Sequence, residues 1–184
     1  MYSVRCRIEG VAPGLLMHKF STGAQAETEA EVKKAKRDFG TPKAQAQEVA
    51  YYNEDGKLVQ PAEHIYQSLV KAAGDFQVKG KGKKSYRDAV RGLVLVAPEY
   101  IGHDTQDWTV DSRPVRVQKA RVVRHRPFLA KWSLNFELKC LDGEALPAEV
   151  MNAILVRAGE SVGIGDYRPR FGRFLVTEFK KLAA

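Results

Sequence analysis

The sequence predicts an α+β domain: an antiparallel sheet with two packed helices and an inserted helix-and-hairpin arm. Three observations carry this. Residues 2–8 and 132–140 alternate between apolar and polar, as half-buried strands do. Two segments led by Pro61 and Pro147 space their apolar residues at helical intervals. With residues 19–60 set aside as an insertion and one extra strand removed, the elements read strand, helix, strand, strand, helix, strand. A chain of 184 residues suffices for one domain, taken here as 1–184 with the arm inside it.

Each element has its own warrant. Tyr2, Val4, Cys6 and Ile8 form the buried face of the first strand, which "GVAPG" ends. "AQAETEAEVKKAKRDF" (Ala24–Phe39) is rich in helix formers, with Gly40 suited to its C-terminal cap. "EVAYYNEDGKLVQ" reads as a hairpin turning at Asp55-Gly56. Residues 19–60 hold too few apolar side chains for a separate core. Pro61 is expected to open a helix that buries Ile65, Leu69 and Ala73 and ends near Phe76. "KGKGKK" is a basic, flexible loop, and "AVRGLVLVAPEYI" a buried strand leaving at Pro98. "GHDTQDW" is a polar loop. Val115–Val123 reads as one strand whose alternation slips, with a bulge near Lys119. "RPFLAK" is the hairpin connection to the strand of Trp132, Leu134, Phe136, Leu138 and Cys140. Pro147 opens a helix burying Val150, Ile154, Leu155 and Ala158, with Gly159 as its cap, and Phe171–Phe179 is the last strand. The reduced order matches the ferredoxin-like, or RRM-like, arrangement of RNA-recognition modules.

The charge is unevenly placed. The net charge is +8. Between Ser112 and Phe136 lie Arg113, Arg116, Lys119, Arg121, Arg124, Arg126 and Lys131, with no acid among them. Scattered solubility charge would not concentrate this way, whereas a polyanion-binding face would. Near the C-terminus "GIGDYRPRFGRF" combines glycines that let backbone approach an anion with forked donors and flat rings. The expected contacts are Gly165, Tyr167, Arg168, Arg170, Phe171 and Arg173 in this loop. Arg113, Arg116, Arg121, Arg124 and Arg126 add the strands, and Lys79, Lys81, Lys83 and Lys84 the loop before the second strand. Asp166 is placed to cap or pair with one arginine.

The chemistry of catalysis finds less footing. His18, His64, His103 and His125 lack metal-ligand spacing, and Asp104 and Asp107 are too sparse for a two-metal nuclease. A catalytic role is conceivable only for His18, as a general base. The expectation is a non-enzyme without metal or cofactor. No apolar run is long enough for a membrane span, and the N-terminus does not read as a signal peptide. Cys6 and Cys140 read as buried thiols of a reducing cytoplasm.

The segments "IEGVAPGLLMHKF", "LVQPAEHIYQSLVKAAGDF" and "GIGDYRPRFGRFLVTEF" together resemble the RAMP superfamily, the ferredoxin-like RNA-binding subunits of CRISPR effector complexes. In that family a proline-led helix follows a short strand, as at Pro61. A glycine-rich segment precedes the last strand, as Gly163, Gly165, Arg168 and Gly172 do here. The chain also resembles small bacteriophage proteins with the same C-terminal wording. The resemblance implies a protein that binds single-stranded RNA or DNA and assembles along it, with residues 19–60 either joining neighbouring copies or reaching over the strand. Two alternatives stand beside it: a phage-encoded module inhibiting a host defence or replication complex, and a metal-independent RNA-processing nuclease.

Overall fold

The computed structural model describes residues 1–19, 40–117 and 120–182; of Val117, Ala120 and Arg121 it describes the backbone alone. The helix expected over Ala24–Phe39 lies outside the described residues. The strands are β1 (Tyr2–Gly10), β2 (Leu15–Leu16), β3 (Val59–Pro61), β4 (Val94–Ala97), β5 (Tyr100–Gly102), β6 (Thr109–Val117), β7 (Ala120–Leu129), β8 (Ser133–Cys140) and β9 (Phe174–Lys181). The helices are α1 (Pro42–Glu48), α2 (Ala62–Ala72), α3 (Arg87–Leu93) and α4 (Ala148–Arg157). The fold is α+β with antiparallel sheets. Among the described residues no helix is long and apolar enough to cross a membrane.

The main sheet has the lateral order β4-β8-β1-β9, every neighbour antiparallel. The alternating residues sort onto its faces as the pattern predicts. Val4, Cys6, Ile8, Leu134, Phe136, Leu138 and Cys140 are buried. They join one core with Ile65 and Leu69 of α2 and Met151, Ile154 and Leu155 of α4. Both helices therefore cover the same face. Their N-termini sit one residue later than expected, with Pro61 and Pro147 as caps rather than first residues. Past α4 the backbone widens into a π-helical turn, Ala158–Val162, which ends on Gly163 and not on Gly159. Gly159 instead packs against Phe174.

Several expectations are corrected. The run "AVRGLVLVA" is not one buried strand: Arg87–Leu93 is helical and only Val94–Ala97 is extended. Leu95 is exposed, because β4 is an edge strand with one open face. A helix also occupies Pro42–Glu48, and the hairpin expected over residues 48–60 shrinks to a turn: Tyr52 and Leu58 form an isolated bridge, and Gly56 has φ +72°. The stretch Val115–Val123 is not one bulged strand. It is the tip of a long hairpin, β6 pairing with β7 in unbroken register from Thr109↔Phe128 to Val117↔Ala120. The slip in alternation is thus a chain reversal, and Gln118 and Lys119, where the bulge was expected, lie outside the described residues. "RPFLAK" is not a hairpin connection either: Arg126–Leu129 belong to β7, which pairs with β6 and β2, whereas β8 pairs with β1 and β4. The last strand begins at Phe174, three residues later than expected.

The loop after β5 folds back onto the sheet. His103 bridges Leu134 beyond the end of β4 and is buried edge-on to Trp132, ring centroids 6.5 Å apart. The neighbouring Asp104 reaches the open face. Its carboxylate accepts from Ser133 Oγ at 2.6 Å and Asn135 Nδ2 at 3.2 Å, and pairs with Arg7 Nη1 at 2.9 Å. These contacts hold the Asp104 carboxyl below its ordinary pKa, the Ser133 hydroxyl most of all.

Candidate nucleic-acid interface

The β6–β7 ribbon and the glycine- and arginine-rich loop are far apart in sequence and touch in space. In the ribbon, residues directly opposite each other share a face. One face thus carries Asp111, Arg113 and Val115 beside Val122, Arg124 and Arg126. The Arg113 guanidinium lies 4.6 Å from the Phe171 ring centroid, and that of Arg126 lies 5.7 Å from the Tyr167 centroid. Phe128 meets Phe171 edge-on, centroids 6.3 Å apart.

Within this junction the expected contact residues divide. Arg126 is only 6% exposed, and its Nε stands 2.6 Å from Asp166 Oδ2. The two groups are close but not aligned for a hydrogen bond, so this is an ion pair held by charge. The arginine expected to meet Asp166 is therefore Arg126, and its guanidinium is not presented to a ligand. Phe171 is 1% exposed, so it is a core residue and not a stacking platform. The reason is local: Phe171 N–H donates to the Tyr167 carbonyl, turning the chain so that the ring points inward. Tyr167 is 43% exposed and does present its ring. Its backbone takes φ +62°, with Asp166 Oδ1 accepting from its N–H at 2.9 Å.

The glycines of the loop are spent on protein contacts. A Cβ on Gly172 would fall on the Ile164 carbonyl oxygen, and one on Gly165 would come within 2.5 Å of the Leu16 carbonyl oxygen. Both have positive φ. Gly165 thus lets the loop lie against β2, where Asp166 N–H donates to Leu16 O. The expectation that Gly165 cradles an anion is corrected accordingly. Arg168, Arg170 and Arg173 are exposed, and Arg173 Nε donates to the Pro169 carbonyl at 2.9 Å.

The ribbon itself is unusual in its charge register. Arg113 faces Arg124 across the strands, and Arg116 faces Arg121. Like charges directly opposite destabilise a sheet pair. Asp111 relieves Arg113, at 2.6 Å. Among the described residues no carboxylate pairs with Arg124 or Arg116, and both are exposed. The Arg121 side chain lies outside the description.

Two histidines border the junction. His18 follows β2, with its pKa lowered by burial above all and by the nearby Arg126 and Arg124 charges against the pull of Asp166. His64, on α2, is lowered by burial and then by Arg168, and its Nδ1 contacts Gln60 Nε2. Between them stands Tyr51, edge-on to His64 and donating to the His18 carbonyl. Sequence spacing gave no sign of this grouping, because the three residues come from three separate segments.

The lysine loop is a separate feature. Lys79, Lys81, Lys83 and Lys84 are exposed in a closed turn, where Val78 N–H donates to Lys84 O and Lys84 N–H to Lys81 O. Its described contacts are to its own flanks, through the Gln77↔Ser85 bridge, rather than to the ribbon.

The chain matches no family model and no curated protein. The case for function therefore rests on the geometry.

Proposed function

We propose that the protein binds single-stranded nucleic acid, RNA or DNA, along the β6–β7 ribbon and the adjoining Tyr167–Arg173 loop. One observation carries this reading: Arg124 on one face of the ribbon and Arg116 on the other are exposed with no carboxylate partner among the described residues, and the exposed Tyr167 stands by Arg126 on the first face. Asp111 already offsets Arg113, so an anion beside Arg124 or Arg116 neutralises a charge that no carboxylate among the described residues meets. Phosphates of a flexible strand supply such anions, and Tyr167 offers the flat face on which a base stacks. Arg116, Arg121, Arg124, Arg168, Arg170 and Arg173 are assigned to phosphate; Arg113 bridges the ribbon to the loop.

The reading extends to the fold and the family. The order β1, α2, β4, β8, α4, β9 with lateral order β4-β8-β1-β9 supports a ferredoxin-like core carrying β5–β7 as an insertion. A RAMP-like, strand-coating protein is consistent with it, as are the free, buried Cys6 and Cys140 with a reducing cytoplasm.

The test is a titration of labelled single- and double-stranded oligonucleotides at two salt concentrations. If four cations engage phosphate, affinity for the single strand drops about fifty-fold between roughly 50 and 200 mM salt. Arg116→Glu with Arg124→Glu abolishes binding and leaves the circular dichroism spectrum unchanged. A salt-independent affinity, a preference for duplex, or capture of an acidic protein with no oligonucleotide binding would each overturn the reading.

A further inference from the structure

A cleft of about 280 Å³ opens beside the junction, lined by Tyr51, Tyr52, Tyr100, Glu63, Glu99 and Lys19 together with Pro61. This lies just below the usual range for ligand sites of about 300–1,000 Å³ and is enough for one flat ring system. Its walls are fixed by backbone pairing. β3 lies between the Tyr51 segment and β5: Val59 N–H donates to Tyr51 O, Pro61 pairs with Tyr100, and Ala62 N–H donates to Glu99 O at 2.8 Å. Two rings are held from behind. Trp108 Nε1 donates to Tyr52 Oη at 3.0 Å, and Tyr51 packs edge-on against His64 at 5.4 Å. Glu63 accepts from Gln67 Nε2 at 2.6 Å through one carboxylate oxygen.

We infer that this cleft takes one unstacked nucleobase bearing an exocyclic amino group. The inference rests on the single-strand reading and names what that strand inserts. Aromatic walls stack a base of any kind. Two carboxylates against the single Lys19 leave the cleft net negative, which repels phosphate, so the backbone stays outside, nearer the arginines. The same carboxylates accept from the amino group of cytosine, adenine or guanine, as Glu and Asp do from cytosine N4 in groove recognition. Uracil and thymine present a carbonyl oxygen where cytosine has its amino group, and a carboxylate rejects it. The cleft also lies against the strand path. Tyr51 donates to the His18 carbonyl and feels the Asp166 charge, and its neighbour His64 feels that of Arg168.

Short oligocytidylate and oligouridylate, identical in length and charge, separate this from the general reading. The wild-type protein is expected to bind oligocytidylate about five-fold or more tightly at one fixed salt concentration. In Glu63→Ala with Glu99→Ala the two affinities converge while the salt slope stays as it was. Tyr100→Ala weakens both alike. All three side chains are exposed, so the folded state survives their loss, which circular dichroism checks. Equal wild-type affinities, with salt-dependent binding intact, overturn the base pocket and leave the strand reading standing. No binding to either oligonucleotide overturns both. Competition by tetramethylammonium would identify an organic-cation cage instead and overturn the assignment.

Discussion

At the scale of single residues, the arginines that look alike in sequence perform different work. Arg126 is buried against Asp166, while Arg124, two residues before it on the same face, is exposed. Removing Arg126 leaves the Asp166 carboxylate half-buried without its partner, so Arg126→Ala costs roughly 1–3 kcal/mol in urea unfolding. Arg124→Ala does not lower the unfolding midpoint, since it removes a charge facing Arg113, and it weakens oligonucleotide binding. The glycines divide the same way. Gly172→Ala sets a Cβ on the Ile164 carbonyl at positive φ, and a loss of about 3 kcal/mol is expected. Gly80→Ala, also at positive φ but with nothing within 4 Å, costs about 1 kcal/mol. The paired denaturation curves check both. "RPRFGRF" announced its charge and its rings, but not that Phe171 turns inward. That depends on the Tyr167–Phe171 backbone hydrogen bond and on Phe128, which the sequence places over forty residues away.

At the scale of elements, the connection from β5 to β6 is the one most sensitive to pH. Burial lowers the His103 pKa to about 4, and neither ring nitrogen has a hydrogen-bond partner. Between its unfolded value near 6.5 and the folded value, the unfolded chain binds the extra proton. Stability is therefore full above pH 6.5 and falls as the pH drops, by at most about 3 kcal/mol at pH 4. Asp104, whose folded pKa is depressed, adds a second loss at more acid pH as its contacts to Ser133 and Arg7 are protonated away. Urea midpoints from pH 7 to pH 4 should slope less steeply in His103→Leu than in the wild type, the remaining slope coming from His18 and His64, which burial also lowers; a parallel slope in both would remove His103 as a cause. Strands and helices whose pattern ran clean were legible: β1, β8, α2 and α4 bury the residues their spacing selects, except that Tyr2 and Val150, at the margins of the core, are only half-buried. α3 was not, since "AVRGLVLVA" is apolar but for Arg91 and Gly92 and supports either period. The β6–β7 reversal was hidden because Val117–Ala120 holds none of the Gly, Pro, Asn or Asp that mark a turn.

At the scale of the whole molecule, the ribbon, the loop and the cleft line one region, while the lysine loop makes its described contacts only with its own flanks. Joining the ribbon to the loop was half legible: both were basic, but only the pairing of β2 with β7 brings Asp166 beneath Arg126. Neutralising Lys79, Lys81, Lys83 and Lys84 together is accordingly expected to reduce affinity less than the Arg116 and Arg124 pair does, by about ten-fold or under, measured at the same salt. The main sheet carries a different implication. One of its two inner strands, β1, has as neighbours β8 and β9, both more than a hundred residues later in the sequence. Each neighbour must close a very long loop before any hydrogen bond rewards it. Folding is thus a late and slow event, during which β1 waits as an unpaired, hydrophobic strand. A nascent chain stopped short of Phe174 would leave β1 open along one side, and such an edge is a template for aggregation.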